Sequence, residues 1–216
     1  MKTKTITKGK KKFKGRTYPE PDGLYLSVTS VIHPDGLDFP PELLQQYASR
    51  GLIVHKMTEH FLNYYQWPVP SKVAKQVDLL NVKNGSLNLS IEDCNPVGFF
   101  QEYGHLFDVM FLEKKLKNKT HRYAGRADIV GKYENEWCIA DLKTAGNYTP
   151  DKLNDYWMQL AAYANCITPV PTKLVIIPLN PKSEKGFDAP IVCSDVTHYF
   201  DMFLKQLAFV KENYLL

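Results

Sequence analysis

Closely spaced cysteines and long apolar runs are both missing from this sequence of 216 residues. Its four cysteines, at positions 94, 138, 166 and 193, form no CxxC pair. This spacing excludes a zinc ribbon, and in a reducing compartment we expect no disulfide. No stretch approaches the roughly 20 apolar residues of a membrane helix. The amino terminus also lacks the apolar segment of a secretory signal.

Acidic residues are absent from positions 1–16, which contain seven lysines and one arginine. Removing these eight from the 27 basic residues of the chain leaves 19 basic against 23 acidic residues. A basic arm on a slightly acidic body is typical of an attachment to polyphosphate, and a flexible solubilising tail is the alternative. The arm residues that we predict to contact nucleic acid are Lys10, Lys11, Lys12, Lys14 and Arg16.

The length and composition predict one folded domain beside this arm. Hydrophobic residues make up 44% of the chain and charged residues 23%, which is ordinary for a globular protein. We therefore divide the chain into a basic arm, residues 1–16, and a single domain, residues 17–216. The compact size and the lysine-rich arm suit a phage or prokaryotic protein located in the cytoplasm.

Two predicted strands, residues 122–133 and 136–144, are joined by a short polar loop at Glu134 and Asn135. A symmetric hairpin centred on that loop pairs residue 133 with residue 136. The same register places Asp128 directly opposite Asp141, with their Cβ atoms roughly 5 Å apart. The hairpin thus predicts two facing carboxylates.

A lysine accompanies the two carboxylates, because strand alternation puts Lys143 on the same face as Asp141. Facing like charges are destabilising unless a cation lies between them. Two carboxylates and an ammonium are the groups that a divalent cation and an attacking water require. A surface hairpin with scattered charges is the alternative. The segment 137–140 is apolar on both faces, which favours a central strand and therefore the metal site.

A helix is predicted to follow, because Thr149, Pro150 and Asp151 form a typical helix start. Gln159 and Tyr163 are four residues apart on one face of this helix, which places them within reach of the same site. The apolar stripe of the helix comprises Leu153, Trp157, Leu160, Ala161 and Ala164.

The rest of the chain predicts helices and strands in alternation. Residues 25–32 form a strand or an extended lead-in, and a helical stretch begins near Pro41, is broken or bent at Gly51 and continues to about Tyr65. Residues 99–110 have helical periodicity, and residues 113–117 either extend that helix or form a strand. A buried strand at 173–179, an edge strand at 191–193 and a last helix from 196 to about 214 complete the prediction. The order helix, three strands, helix, strand predicts an α/β fold with a restriction-endonuclease-like αβββαβ core, a mixed central sheet flanked by helices.

Four motifs resemble, in residue type and in their order along the chain, those of the PD-(D/E)XK nuclease superfamily. They are Gly125-Arg126-Ala127-Asp128, Asp141-Leu142-Lys143, Gln159 followed by Tyr163, and an upstream helix that contains His55. The RecB-like branch, which includes the mitochondrial genome maintenance exonuclease and phage exonucleases, is the most similar. The resemblance covers roughly residues 25–165.

The resemblance implies a deoxyribonuclease that depends on Mg²⁺ or Mn²⁺. It favours an exonuclease on single-stranded DNA or DNA ends over an endonuclease. It implies a metal site formed by His55, Asp128, Asp141 and the backbone carbonyl of Leu142. It also implies catalytic roles for Asp128, Asp141, Lys143, Gln159 and Tyr163. Further candidates are Glu59 and Glu113 at the metal site and Arg126 on the nucleic acid. The cysteine spacing of iron–sulfur branches is absent, so we expect no cluster.

Two other functions stay open from the sequence. One is a structure-specific or restriction-like endonuclease, since end dependence is set by loops and oligomeric state. The other is a catalytically degenerate DNA-binding partner protein. A zinc protease is excluded, because His60 lies about 140° around the helix from His55 and the two cannot bind one ion.

Overall fold

The computed structural model describes residues 10–36, 40–64, 66, 68, 75 and 94–216. Its strands are β1 Lys11–Lys12, β2 Thr17–Glu20, β3 Gly23–Ser27, β4 Phe107–Asn118, β5 Tyr123–Tyr133, β6 Glu136–Lys143, β7 Lys173–Pro178, β8 Ile191–Cys193 and β9 Tyr214–Leu215. Its helices are α1 Val28–Ile32, α2 Pro41–Tyr64, α3 Pro96–Tyr103, α4 Pro150–Ala164 and α5 Val196–Asn213, with a 3₁₀ turn at Gly104–Leu106. Among these helices, none is both long enough and apolar enough to cross a membrane.

A seven-stranded mixed sheet forms the centre of the fold. Its strands follow the order β2-β3-β5-β6-β7-β8. Strands β3 and β6 pair with different parts of one edge of β5, and β4 pairs with the opposite edge of β5. Strand β5 is antiparallel to β4 and β6, whereas β6 and β7 run parallel. Along the chain, α3, β4, β5, β6, α4 and β7 give the order helix, three strands, helix, strand. The predicted α/β class and its core order are confirmed.

Helices cover both faces of this sheet, because its central strands are apolar on both sides. One core cluster joins the sheet to α1, α4 and α5, with Tyr123, Leu160 and Phe203 among its fully buried side chains. The second cluster joins the opposite face to α2 and α3 and includes Val54 and Phe99. The predicted apolar stripe of α4 lies in the first cluster.

The β5–β6 hairpin has the predicted register. Tyr133 pairs with Glu136 and Ile129 with Ala140. The loop residues Glu134 and Asn135 have φ values of 51° and 67°. Two successive left-handed residues make the tight turn that matches the right-handed twist of paired strands. The loop therefore fixes which residues of β5 and β6 oppose each other.

Three predictions about element boundaries were wrong or incomplete. Helix α2 runs through Gly51 without a break, because packing of residues such as Ile53 and Val54 offsets the low helix propensity of one glycine. The helical periodicity predicted to position 110 stops earlier, and β4 begins at Phe107, where pairing with β5 outweighs the local pattern. Residues 25–32 divide between the end of β3 and helix α1.

The described part of the basic arm lies against the carboxyl terminus. Strand β1 pairs in parallel with β9, and Phe13 contacts the ring of Tyr214 edge to face. The Lys11 ammonium lies 3.1 Å from Asp35, and Lys10 donates to the carbonyl of Lys211. These contacts hold residues 10–13 at one place on the surface.

Candidate metal centre

The candidate site lies where β5 and β6 separate. Their backbone pairing ends at Ile129 and Ala140, whereas β6 stays paired with β7 as far as Lys143. Beyond the last pair, the amide of Leu142 therefore donates to a side chain of β5, Asp128 Oδ2 at 2.8 Å, rather than to a backbone oxygen of that strand. Asp128 and Asp141 are each one residue beyond the last pair, as the predicted register requires.

His55 reaches this opening from α2 and bridges two oxygen atoms. Its Nδ1 lies 3.3 Å from Asp128 Oδ1, and its Nε2 lies 3.1 Å from the carbonyl oxygen of Leu142. Burial alone would lower the pKa of His55, but the hydrogen bond and charge of Asp128, together with the charge of Asp141, raise it. The imidazole of His55 thus lies between two of the oxygen atoms that we predicted as metal ligands.

The two aspartates are buried and have opposite pKa shifts. Burial raises the pKa of Asp141 to about 6, and the neighbouring charge of Asp128 adds to that rise. Burial acts on Asp128 in the same direction, but hydrogen bonding and the charge of His55, with the Leu142 amide, lower its pKa. A second like charge in a low-dielectric site is costly. The two aspartates therefore place negative charge in a buried site, and a bound divalent cation would neutralise that charge.

Lys143 is enclosed by three groups. Its Nζ lies 2.6 Å from Asp141 Oδ2, donates to Gln159 Oε1 at 3.1 Å and lies 4.6 Å from the ring centre of Tyr156. Gln159 also donates to Asp141 Oδ1 at 3.1 Å, which closes a ring of contacts. Burial would lower the pKa of Lys143, but the charge of Asp141 raises it. The lysine is therefore held as an ammonium.

Glu113 supplies a third carboxylate from β4. Its neighbours pair with β5 as Leu112 with Ile129 and Lys114 with Ala127, so Glu113 faces Asp128. Its φ of 49° is uncommon for a residue with a Cβ and marks a local distortion of the strand. One ligand atom each from His55, Glu113 and Asp128 lie within 4.8 Å of one another. This cluster of one nitrogen and two carboxylate donors could hold a divalent metal ion.

The charge on Glu113 is balanced by Arg126, whose Nε lies 2.6 Å from Glu113 Oε2. Burial raises the pKa of Glu113, and the charge of Asp128 adds to this. Each of the three acids thus has its own cation, since His55 pairs with Asp128 and Lys143 with Asp141. Glu59 lies close enough for its charge to raise the pKa of Glu113.

Other predicted residues lie outside this cluster. Tyr163 is buried against β5, where a Cβ at Gly125 would approach its Cε1 to 2.4 Å. Burial raises the pKa of its hydroxyl. Tyr163 therefore supports the strand that carries Asp128.

The predicted arm residues also lie outside the cluster. The described contacts of Lys10 and Lys11 are with the carboxyl terminus and Asp35.

Three further residues support the site. Arg50 donates to the carbonyl of Thr144 at 2.8 Å, Tyr148 donates to the carbonyl of Lys143 at 2.9 Å, and the ring of Tyr156 faces the Lys143 ammonium. Arg50 and Tyr148 clamp the end of β6 through backbone oxygen atoms, which leave no sequence signal. Tyr156 is three residues before Gln159, and helical spacing predicts that it borders the face of Gln159 and Tyr163.

Comparison with known proteins gives structural neighbours of low sequence identity, including two that align over most of this chain. No protein-family model and no curated protein matches the chain. A protein named "Putative exonuclease" from Eubacterium rectale is 13% identical, with 89% of this chain and 83% of that chain covered at a TM-score of 0.48. A protein named SSO0001 is 12% identical, with 87% and 76% covered at a TM-score of 0.35. Both TM-scores are below 0.5, so the function of this chain is inferred from its own residues.

Proposed function

We propose that this protein is a divalent-metal-dependent nuclease that hydrolyses phosphodiester bonds of DNA, as an exonuclease on single strands or strand ends. The observation that carries the proposal is the convergence of His55, Glu113 and Asp128 within 4.8 Å, next to the Asp141–Lys143 ion pair. An acidic metal-ligand set beside a buried ammonium matches the needs of phosphoryl chemistry, in which charge develops on oxygen atoms.

The proposed ligands are Asp128, Asp141, His55 and the carbonyl of Leu142, with Glu113 from β4 as a further carboxylate. Oxygen donors suit Mg²⁺, and the single imidazole shifts the preference modestly toward Mn²⁺. A bound divalent cation would neutralise charge on the phosphate and make an attacking water more acidic. His55 must release its proton before its ring can bind the ion.

Lys143 has the proposed role of orienting the attacking water and stabilising negative charge. It stays protonated, since the charge of Asp141 raises its pKa. Gln159 restrains both Lys143 and Asp141, so it fixes the distance between the ammonium and the carboxylate. Tyr163 keeps β5 in place through its packing over Gly125. In this proposal residues 17–216 form the nuclease domain and the lysines of the arm contact DNA.

The test compares circular with linear single-stranded DNA, each incubated with the purified protein and Mg²⁺ or Mn²⁺. An exonuclease degrades the linear strand progressively and leaves the circle intact. Cutting of the circle would instead identify an endonuclease. No cleavage of either substrate with either ion, while the protein still binds DNA, would identify a catalytically degenerate binding protein and contradict the proposal.

A further inference from the structure

Arg126 links the surface of the protein to the candidate metal-binding residues His55, Glu113 and Asp128. Its side chain is 59% exposed, whereas that of its partner Glu113 is 16% exposed. Their contact of 2.6 Å joins Arg126 Nε to Glu113 Oε2. Glu113 is also one of the three residues whose ligand atoms converge. One carboxylate is therefore shared between an exposed cation of the protein and a candidate ion site.

The two uses of Glu113 compete for the same charge. A divalent cation among His55, Glu113 and Asp128 draws on the carboxylate that now balances Arg126. The cation would also repel the guanidinium of Arg126, because both are positive and both would contact the carboxylate of Glu113. Binding of the ion therefore weakens the Arg126–Glu113 pair and frees an exposed arginine beside the site.

The surroundings of Arg126 favour an anion as its next partner. Lys115 of β4 is directly opposite Arg126 in the β4–β5 register. Like charges that face each other across two strands are destabilising, unless an anion lies between them. A phosphate group would satisfy both side chains, and arginine binds phosphate through two parallel hydrogen bonds.

We propose that Glu113 withholds Arg126 from nucleic acid until a divalent cation occupies the cluster, after which Arg126 pairs with a phosphate of the bound strand. This inference rests on the proposed function, because it takes DNA as the ligand and the cluster as the metal site. It makes binding of the cation and of DNA mutually supporting, since each favours the same arrangement of Arg126.

A double-mutant cycle tests the inference without any cleavage step. The affinity for a fluorescein-labelled single-stranded oligonucleotide is measured by anisotropy in EDTA for wild type, Glu113→Gln, Arg126→Gln and the double variant. Glu113→Gln should bind the oligonucleotide about fivefold more tightly, the order of one charge-assisted contact. The same substitution should have no effect when Arg126 is already glutamine.

Glu134→Gln is the matched control, because it removes one exposed negative charge from the loop after β5 without breaking an ion pair to Arg126. It should change the affinity less than twofold, as expected for a remote exposed charge. Thermal melting of each variant shows whether it is folded. An equal gain in both Arg126 backgrounds, or no gain for Glu113→Gln, would overturn the proposal.

A second measurement decides the question if Glu113→Gln does not fold. In the Lys143→Ala background, Mg²⁺ should tighten oligonucleotide binding, and Arg126→Gln should remove a large part of that gain. The same Mg²⁺ gain with and without Arg126 would refute the inference. Wild-type cleavage that needs metal, together with an uncoupled cycle, would refute this inference alone. A wild-type protein that does not bind DNA would refute the proposed function itself.

Discussion

At the scale of single residues, His55 contacts oxygen atoms from two different strands, Asp128 on β5 and the carbonyl of Leu142 on β6. A histidine that merely filled the core would need one such partner. Because its pKa is raised above the ordinary 6.5, the ring keeps its proton to a higher pH than a free imidazole does. That proton and a metal ion compete for the same ring.

His55→Ala is predicted to weaken metal binding and to change its pH dependence. In the wild type, metal affinity should rise as the pH increases through and above 6.5, because the raised pKa keeps His55 protonated to higher pH. In His55→Ala that rise should flatten above neutral pH, and the affinity should fall about 10- to 100-fold. Calorimetric titration with Mn²⁺ at a series of pH values measures both.

His60→Ala is the matched control for this prediction. His60 lies on the same helix, but its described ring contact is with Tyr64, at 4.8 Å between ring centres. Its substitution should leave the Mn²⁺ titration unchanged. A wild-type metal profile in His55→Ala would show that His55 is not a ligand.

Lys143→Ala is predicted to abolish cleavage and to spare metal and DNA binding. The ammonium orients water and stabilises charge, and it does not coordinate the ion, so the loss should fall on the catalytic rate by about 10²- to 10⁴-fold. Single-turnover cleavage at saturating Mn²⁺ measures this rate. Lys132→Ala, which removes an exposed lysine from β5, should cleave normally. A rate within a few fold of the wild type would contradict the proposed role of Lys143.

At the scale of elements, two glycines have opposite surroundings. An added Cβ at Gly51 in α2 would meet only Thr144 Oγ1, at 3.6 Å, which is an ordinary contact. An added Cβ at Gly125 in β5 would approach Tyr163 Cε1 to 2.4 Å. The first glycine is a dispensable weak point of a helix, and the second is required for α4 to pack on β5.

Gly51→Ala is therefore predicted to stabilise the protein by about 0.5–1 kcal/mol. Gly125→Ala should destabilise it by about 1–3 kcal/mol, because Tyr163 must move and α4 with it. Urea unfolding of the two variants beside the wild type measures both free energies. Destabilisation by Gly51→Ala would mean that α2 depends on a feature of Gly51 other than its backbone.

The hairpin register could be predicted from sequence, because the polar loop at Glu134 and Asn135 leaves one symmetric pairing. That pairing placed Asp128 against Asp141 and made Lys143 part of the site. The start of β4 at Phe107 could not be predicted in this way, because its pairing with β5 is a long-range contact. The left-handed φ of Glu113 and the clamps of Arg50 and Tyr148 on backbone oxygen atoms also have no local sequence signal.

At the scale of the whole molecule, basic residues of the arm are held beside the carboxyl terminus. Strand β1 pairs with β9, which fixes Lys11 and Lys12 relative to the domain. Lys11 is paired with Asp35, whereas Lys12 and Lys14 are exposed. This leaves two anchored lysines directed at solvent, which we propose contact the phosphates of bound DNA.

The double variant Lys12→Gln/Lys14→Gln is predicted to weaken DNA binding and to reduce its dependence on salt. Each lost phosphate contact lowers the slope of log affinity against log salt by about 0.7–0.9. Anisotropy titrations at several salt concentrations measure the slope. Lys185→Gln/Lys205→Gln, which removes equal charge elsewhere on the surface, is the control. An unchanged slope in the arm variant would identify the arm as a solubilising tail.

The most direct test of the metal-dependent nuclease is cleavage of linear single-stranded DNA as a function of Mn²⁺ concentration, for wild type and Asp128→Asn. Asp128 contacts His55 and the Leu142 amide, so its charge is central to the proposed ligand set. We predict no wild-type cleavage in EDTA, saturable cleavage with rising Mn²⁺, and no cleavage by folded Asp128→Asn at any Mn²⁺ concentration. Wild-type cleavage that survives EDTA, or near-normal cleavage by Asp128→Asn, would contradict the proposed site.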